Sequence, residues 1–131
     1  MTRDDVQTWL DRYVGAWRSY DPAAIGELFA ADATYKYHPY DDEAIVGREA
    51  IVANWLESPD SAGSWDAGYE PWAVDGDRAV TVGESRYLEA DGSTRTVFHN
   101  IWTLRFDDDG RCSEFVEYFM EQAGNGTLMR L

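Results

Sequence analysis

Positive charge is scarce in this sequence. Lysine occurs once, at Lys36, and histidine twice, at His38 and His99; eleven Lys and Arg face twenty-five Asp and Glu, for a formal net charge of −14. Nucleic-acid binding needs a basic surface to displace counterions from phosphates, so this balance excludes it. An anionic membrane surface is excluded on the same ground. Cysteine occurs once, at Cys112, so no disulfide can close within the chain. No apolar run reaches membrane-spanning length. The start, Met1-Thr2-Arg3-Asp4-Asp5, lacks the apolar segment of a signal peptide, and a reducing cytoplasm is the expected location. No pair of histidines stands at ligand spacing and there is no cysteine cluster, which argues against structural zinc. Asp107-Asp108-Asp109-Gly110 lacks the full calcium-loop pattern and reads as a turn. A phosphate loop, a dinucleotide fingerprint and a serine nucleophile elbow are also missing. The expectation is a protein without metal or cofactor.

Aromatic residues, by contrast, are plentiful: six Trp, eight Tyr and five Phe in 131 residues. That length suits one domain, residues 1–131, around one core. Trp and Tyr carry polar atoms that need partners when buried, so the excess hints at a pocket as well as a core.

Thr2 with Asp5 three residues on has the form of a capping box. Val6, Trp9, Leu10, Tyr13, Val14 and Trp17 then recur at helical spacing, which predicts a helix over 4–19. Asp21-Pro22 restarts the chain as a second helix, with Ile25, Leu28 and Phe29 as its buried stripe. Residues 33–38 alternate as a short strand, Tyr35 and Tyr37 on one face, Lys36 and His38 on the other. A third helix is predicted near 48–57, with Ile51, Val52, Trp55 and Leu56 apolar. Four long strand-like runs follow, at 64–74, 78–89, 94–106 and 111–121, separated by Asp75-Gly76, Asp91-Gly92 and the turn at 107–110. Asp-Gly is a strong hairpin signal, because glycine accepts positive φ cheaply. The predicted fold is α+β: a curved antiparallel sheet, a cone-shaped half-barrel, packed on three N-terminal helices in the order ααβαββββ. A cone open at one end is a place for a pocket.

A four-residue loop at 107–110 would set Trp102 opposite Phe115, Asn100 opposite Glu117 and Phe98 opposite Phe119. All six then share one face. A one-residue bulge would break this pairing. Glu117 stands out, since a carboxylate among aromatics is costly unless hydrogen-bonded, and desolvation raises its pKa toward acid–base use. A structural glutamate bonded to Asn100 or an arginine fits the pattern equally. Glu84 depends on the turn at Asp91-Gly92. A two-residue turn pairs it with His99 on the outer face, and a three-residue turn sets it opposite Asn100 in the pocket. A surface charge assisted by Arg86 is the simplest reading. His38, before Pro39, is either a mouth residue or a loop contact.

The element order, Asp21-Pro22 followed by Leu28-Phe29-Ala30-Ala31-Asp32-Ala33, the stretch Val46-Gly47-Arg48-Glu49-Ala50-Ile51, and Asp109-Gly110-Arg111 with Glu117-Tyr118-Phe119 together resemble the SnoaL-like members of the nuclear transport factor 2-like superfamily. The similarity covers nearly the whole chain. It specifies fold better than function, since the superfold hosts cyclases, isomerases, hydrolases and non-catalytic binders. SnoaL-like cyclases carry an acid–base carboxylate on the last strand, which Glu117 matches. Limonene-epoxide hydrolases add a Tyr and an Asn on the first strand and an Arg-x-Asp on the second meander strand. Tyr35 matches the Tyr, Tyr37 replaces the Asn, and Val82-Gly83-Glu84 lacks the arginine. The resemblance implies a small-molecule ligand, no cofactor, and a homodimer through the outer sheet face. The expected catalytic set is Glu117, Asn100 and Tyr35. The expected binding set is Tyr13, Trp17, Phe29, Tyr37, His38, Trp55, Glu84, Phe98, Trp102, Phe115 and Phe119. The rival expectation is a binder or dimeric interaction module using the same pocket, with Val97, His99, Ile101 and Thr103 pairing subunits.

Overall fold

The computed structural model describes residues 1–122. The tail tripeptide Asn125-Gly126-Thr127, an Asn-x-Thr spacing, lies outside the described residues. Helix α1 (Arg3–Ser19) begins at the expected capping box, with Thr2 and Asp5 exchanging bonds, and ends at Tyr20 in the left-handed region at φ 50°. It buries Val6, Trp9, Leu10 and Tyr13 of the predicted stripe together with Ala16, while Val14 and Trp17 are only partly buried. Helix α2 (Pro22–Glu27) is capped by the Asp21 side chain on the Ala23 amide, with Pro22 in the first turn. It stops earlier than its apolar pattern suggests. Leu28 caps it, and Phe29 opens strand β1 (Phe29–Lys36) rather than closing the helix.

A two-residue strand β2 (Ile45–Val46), too short for any periodicity to reveal, pairs antiparallel with β1. Helix α3 (Arg48–Glu57) follows. Then come β3 (Trp65–Asp75), β4 (Arg78–Leu88), β5 (Thr94–Phe106) and β6 (Cys112–Glu121), the meander that the Asp-Gly turns announce. The six strands form one curved, unclosed sheet in the order β2-β1-β6-β5-β4-β3. It is mixed rather than purely antiparallel, because β1 runs parallel to β6. That pairing sets Tyr35 beside Phe115, their rings stacked at 4.2 Å.

The hairpin between β5 and β6 departs from the expected register by two residues. Phe106 pairs with Cys112, so the loop holds five residues, and Ser113 is then extruded before Arg105 pairs with Glu114. Asp107 stabilises the loop by accepting the Asp109 and Arg111 amides. The Ser113 hydroxyl donates to the Arg105 carbonyl beside the bulge. Two one-residue insertions cancel in parity. Glu117 therefore stays on the predicted face but stands opposite Trp102, with Asn100 opposite Phe119.

The core fills the concave side, where α1 and α2 residues meet Phe29, Ala33, Tyr35, Leu104, Phe106 and Phe115. Gly83 explains one close approach there. It pairs with Tyr69, and a Cβ built on it would lie 2.8 Å from the Tyr69 Cα and collide with the Gly68 carbonyl. The missing side chain lets the Tyr69 ring lie against Trp102, 4.1 Å between centroids. Among the described residues no helix is long and apolar enough to cross a membrane.

Candidate active site

The register puts Trp102 of β5 opposite Glu117 of β6, with Asn100 two residues along on the same face. Asn100 Nδ2 and Trp102 Nε1 both donate to Glu117 Oε2, each at 2.8 Å. Asn100 is fixed in turn, its Oδ1 accepting from the Ser85 hydroxyl at 3.1 Å. Glu117 Oε1 takes no hydrogen bond from the described residues, so one oxygen is anchored and the other is left for something in the hollow. Burial pushes the Glu117 carboxyl above its ordinary range, against the opposing pull of the Trp102 and Asn100 bonds and of His38. A half-buried carboxylate with a raised pKa and one unengaged oxygen is poised to take up and release a proton.

The hollow above it has a volume of about 590 Å³, within the range of small-molecule sites. Eleven of its eighteen lining residues are aromatic. Tyr13 and Tyr35 meet hydroxyl to hydroxyl at 2.9 Å. One of the two must donate to the other, which leaves a single hydroxyl proton for a ligand oxygen. Burial raises both phenols well above their ordinary range, with each other's proximity or Tyr37 and then Glu117 adding to the effect. They remain neutral donors at any working pH. Tyr37 is pushed up to about 12, mainly by burial, and its hydroxyl donates to Asn54 Oδ1 at 2.6 Å. At the mouth, Asp60 is tied to α1. Its Oδ2 accepts from Trp17 Nε1 at 3.0 Å, and its amide donates to the Tyr20 hydroxyl at 2.8 Å. Trp17 stacks on Trp65 at 3.6 Å, with the Arg18 guanidinium over the Trp65 ring.

Of the expected residues, the hollow gathers Glu117, Asn100, Tyr35, Tyr13, Trp17, Tyr37, Trp55, Phe98, Trp102 and Phe119. Four fall elsewhere. Phe29 and Phe115 are fully buried and pack behind the wall, Phe115 stacked on Tyr35 and Phe29 edge-on to it. Glu84 is on the outer face. A five-residue loop and a bulge between Tyr87 and Leu88 together give the register that pairs it with His99. There it bonds Arg86 at 2.9 Å and lies 3.7 Å from His99. His38 sits past the rim, its ring bonded to Asp41 and tilted against Phe119 at 5.3 Å.

Sequence reasoning missed Tyr69, Ser85 and Tyr87, which the β3–β4–β5 register puts on the concave face. Carrying the alternation one strand further would have found them. It also missed Asn54 and Glu57 of α3, and Tyr20, Ser58 and Asp60, where the loop after α3 folds back on the end of α1 and carries no local pattern. Among the described residues no three His, Cys, Asp or Glu side chains are grouped so as to hold a metal ion.

Comparison with known proteins agrees with this architecture. A crystal structure from Kribbella flavida DSM 17836, described as a "putative ketosteroid isomerase", superposes with a TM-score of 0.69 over 98% of this chain and 91% of that one, at 18% identity. At that identity the likeness is one of fold. No curated protein matches the chain. The model of the SnoaL-like domain matches residues 10–115. That match spans most of the sequence, from α1 to the last strand, and the chain belongs to the SnoaL-like domain family.

Proposed function

We propose that the hollow is the active site of a small-molecule enzyme in which Glu117 acts as general base and then general acid. The reaction class is an isomerisation, cyclisation or hydration of an apolar or aromatic substrate. The observation that carries this reading is the anchoring of Glu117 by one oxygen only, under a hollow of about 590 Å³. In the simplest case Oε1 takes a proton from a carbon next to a substrate carbonyl. The electron pair moves onto the carbonyl oxygen, which the free proton of the Tyr13–Tyr35 pair stabilises. Glu117 then returns the proton to another carbon, and the substrate is isomerised with no net change in atoms or charge. One proton carrier suffices for this cycle.

Deuterium exchange tests the proposal without knowledge of the natural substrate. The protein in D2O should speed α-proton exchange of 2-tetralone, and Glu117→Gln should slow it by about 100-fold or more, the usual range for a general base. Unchanged exchange in E117Q rules out the proton-transfer role.

A second reading has its own support. Two hydrogen bonds on Glu117 also suit a purely structural carboxylate, and Ile101, Tyr118 and Met120 leave apolar surface exposed on the outer sheet face. On that reading the chain is a ligand binder that pairs with a second copy through this face. Sedimentation would find a dimer that Ile101→Glu dissociates, and exchange of the ketone would be indifferent to E117Q.

A further inference from the structure

Three carboxylates, Glu57, Asp60 and Glu117, line the hollow, and no arginine, lysine or histidine does. The ion pairs among the described residues all lie elsewhere: Arg12–Glu27, Arg18–Asp66, His38–Asp41, and Glu84 with Arg86 and His99. We infer that the substrate is an organic cation, a protonated or quaternary amine on an apolar body, with its positive charge facing Asp60 and Glu117 across the aromatic walls. The inference rests on the reading of the hollow as a substrate site and adds the substrate's charge to it.

Three features converge. Asp60 and Glu117 are held alike, each by an indole N–H on a single oxygen, Trp17 on Asp60 Oδ2 and Trp102 on Glu117 Oε2. Asp60 Oδ1 and Glu117 Oε1 have no partner among the described residues. Glu117 is the desolvated one of the two, and a ligand bringing positive charge beside it relieves that cost. Next, the walls are phenol and indole rings, whose faces carry negative potential and attract alkylammonium groups. Finally, Trp55 is nine-tenths buried and lines the hollow, yet its indole N–H finds no acceptor among the described residues. It is free to bond a hydroxyl or carbonyl oxygen on the same ligand.

The electrostatics point the same way. Burial is the main cause that raises Tyr13, Tyr35, Tyr37, Tyr69 and Tyr87; Glu117 adds to it in each, and Asp60 acts on Tyr87 as well, so Tyr87 lies in the field of both carboxylates. Beyond the hollow, His38 offsets Glu117 in small part; a neutral ligand adds nothing to that, and an anion would add repulsion. The net charge of −14 extends the same preference outward, by steering cations toward the protein.

A series with one ring and three charges tests this: phenethylamine (a cation at pH 7), 2-phenylethanol and phenylacetate. Affinities come from tryptophan fluorescence, and location from the Trp102 indole N–H and Glu117 carboxyl resonances. The expected order is amine, alcohol, acid, with the amine at least about 10-fold tighter than the alcohol at low salt. The gap should narrow with salt, and in Asp60→Asn and the solvent-exposed Glu57→Gln. An alcohol that binds as tightly as the amine overturns the inference. So does amine binding that moves neither resonance, or no binding at all. The two proposals fail separately. Loss of ketone exchange in E117Q with no amine preference sinks the cation and leaves the base, and amine preference with intact exchange does the reverse.

Discussion

Glu117 links the stability of this protein to its chemistry. Its carboxyl is raised in the folded state, chiefly by burial, so the native state holds this proton more tightly than the unfolded chain does. The stability that follows is fully present below the ordinary glutamate range and is lost as pH rises from there through the raised value. Glutamine keeps an acceptor for Asn100 and Trp102 and carries no charge. Melting curves of wild type and E117Q from pH 4 to pH 8 should therefore diverge, with E117Q gaining on wild type as pH increases. Gly83 is a second residue whose role is physical and local. Gly83→Ala should destabilise by roughly 1–3 kcal/mol, the usual cost of overpacking, since the new methyl meets the Gly68 carbonyl and the Tyr69 backbone as well as the Tyr69 ring, and backbone cannot swing away. Chemical denaturation gives the size, and loss of the Tyr69 ring shifts on Trp102 gives the cause. Sequence alternation made Glu117, Asn100 and Trp102 legible as neighbours on one face, because that relation depends only on parity. It could not tell which residue faced which, because loop length and the Ser113 bulge are set by hydrogen bonds at Asp107 and Arg105 that no spacing records.

At the scale of elements, the Asp-Gly turns and the amphipathic stripes were enough to place three helices and the long strands, since each is a local signal. What escaped was of tertiary origin. Phe29 looks helical in sequence, yet β1 claims it, for its backbone is drawn into register with Cys112 of β6. β2 exists only as a partner for Thr34 and Tyr35. The stretch 58–64 is held against α1 through Asp60 alone of its side chains, by Trp17 and Tyr20. Removing one bond of about 1 kcal/mol with Trp17→Phe should quicken amide exchange across 60–64 by several-fold while leaving β5 and β6 unaffected. Equal exchange in both proteins would show that this stretch is held by something other than the mouth contacts.

The whole molecule is an open cone whose concave side is packed solid at one end, by Phe29, Phe106 and Phe115, and hollow at the other, over Glu117. The chain carries a formal net charge of −14. Self-repulsion of so many carboxylates opposes compactness, and salt screens it over about 10 Å at 0.1 M. The melting temperature should accordingly rise between 10 mM and 300 mM sodium chloride at pH 7. A falling value would mean that the surface ion pairs outweigh the repulsion. The distinction between a family member that catalyses and one that only binds lies with one carboxyl group. Its direct measurement is an NMR titration of the Glu117 side-chain carbon, assigned by comparison with E117Q. The account predicts a midpoint above the ordinary glutamate range, moving higher still in Trp102→Phe, where the strongest opposing hydrogen bond is gone. A midpoint at or below the ordinary range, unmoved by that substitution, would contradict it.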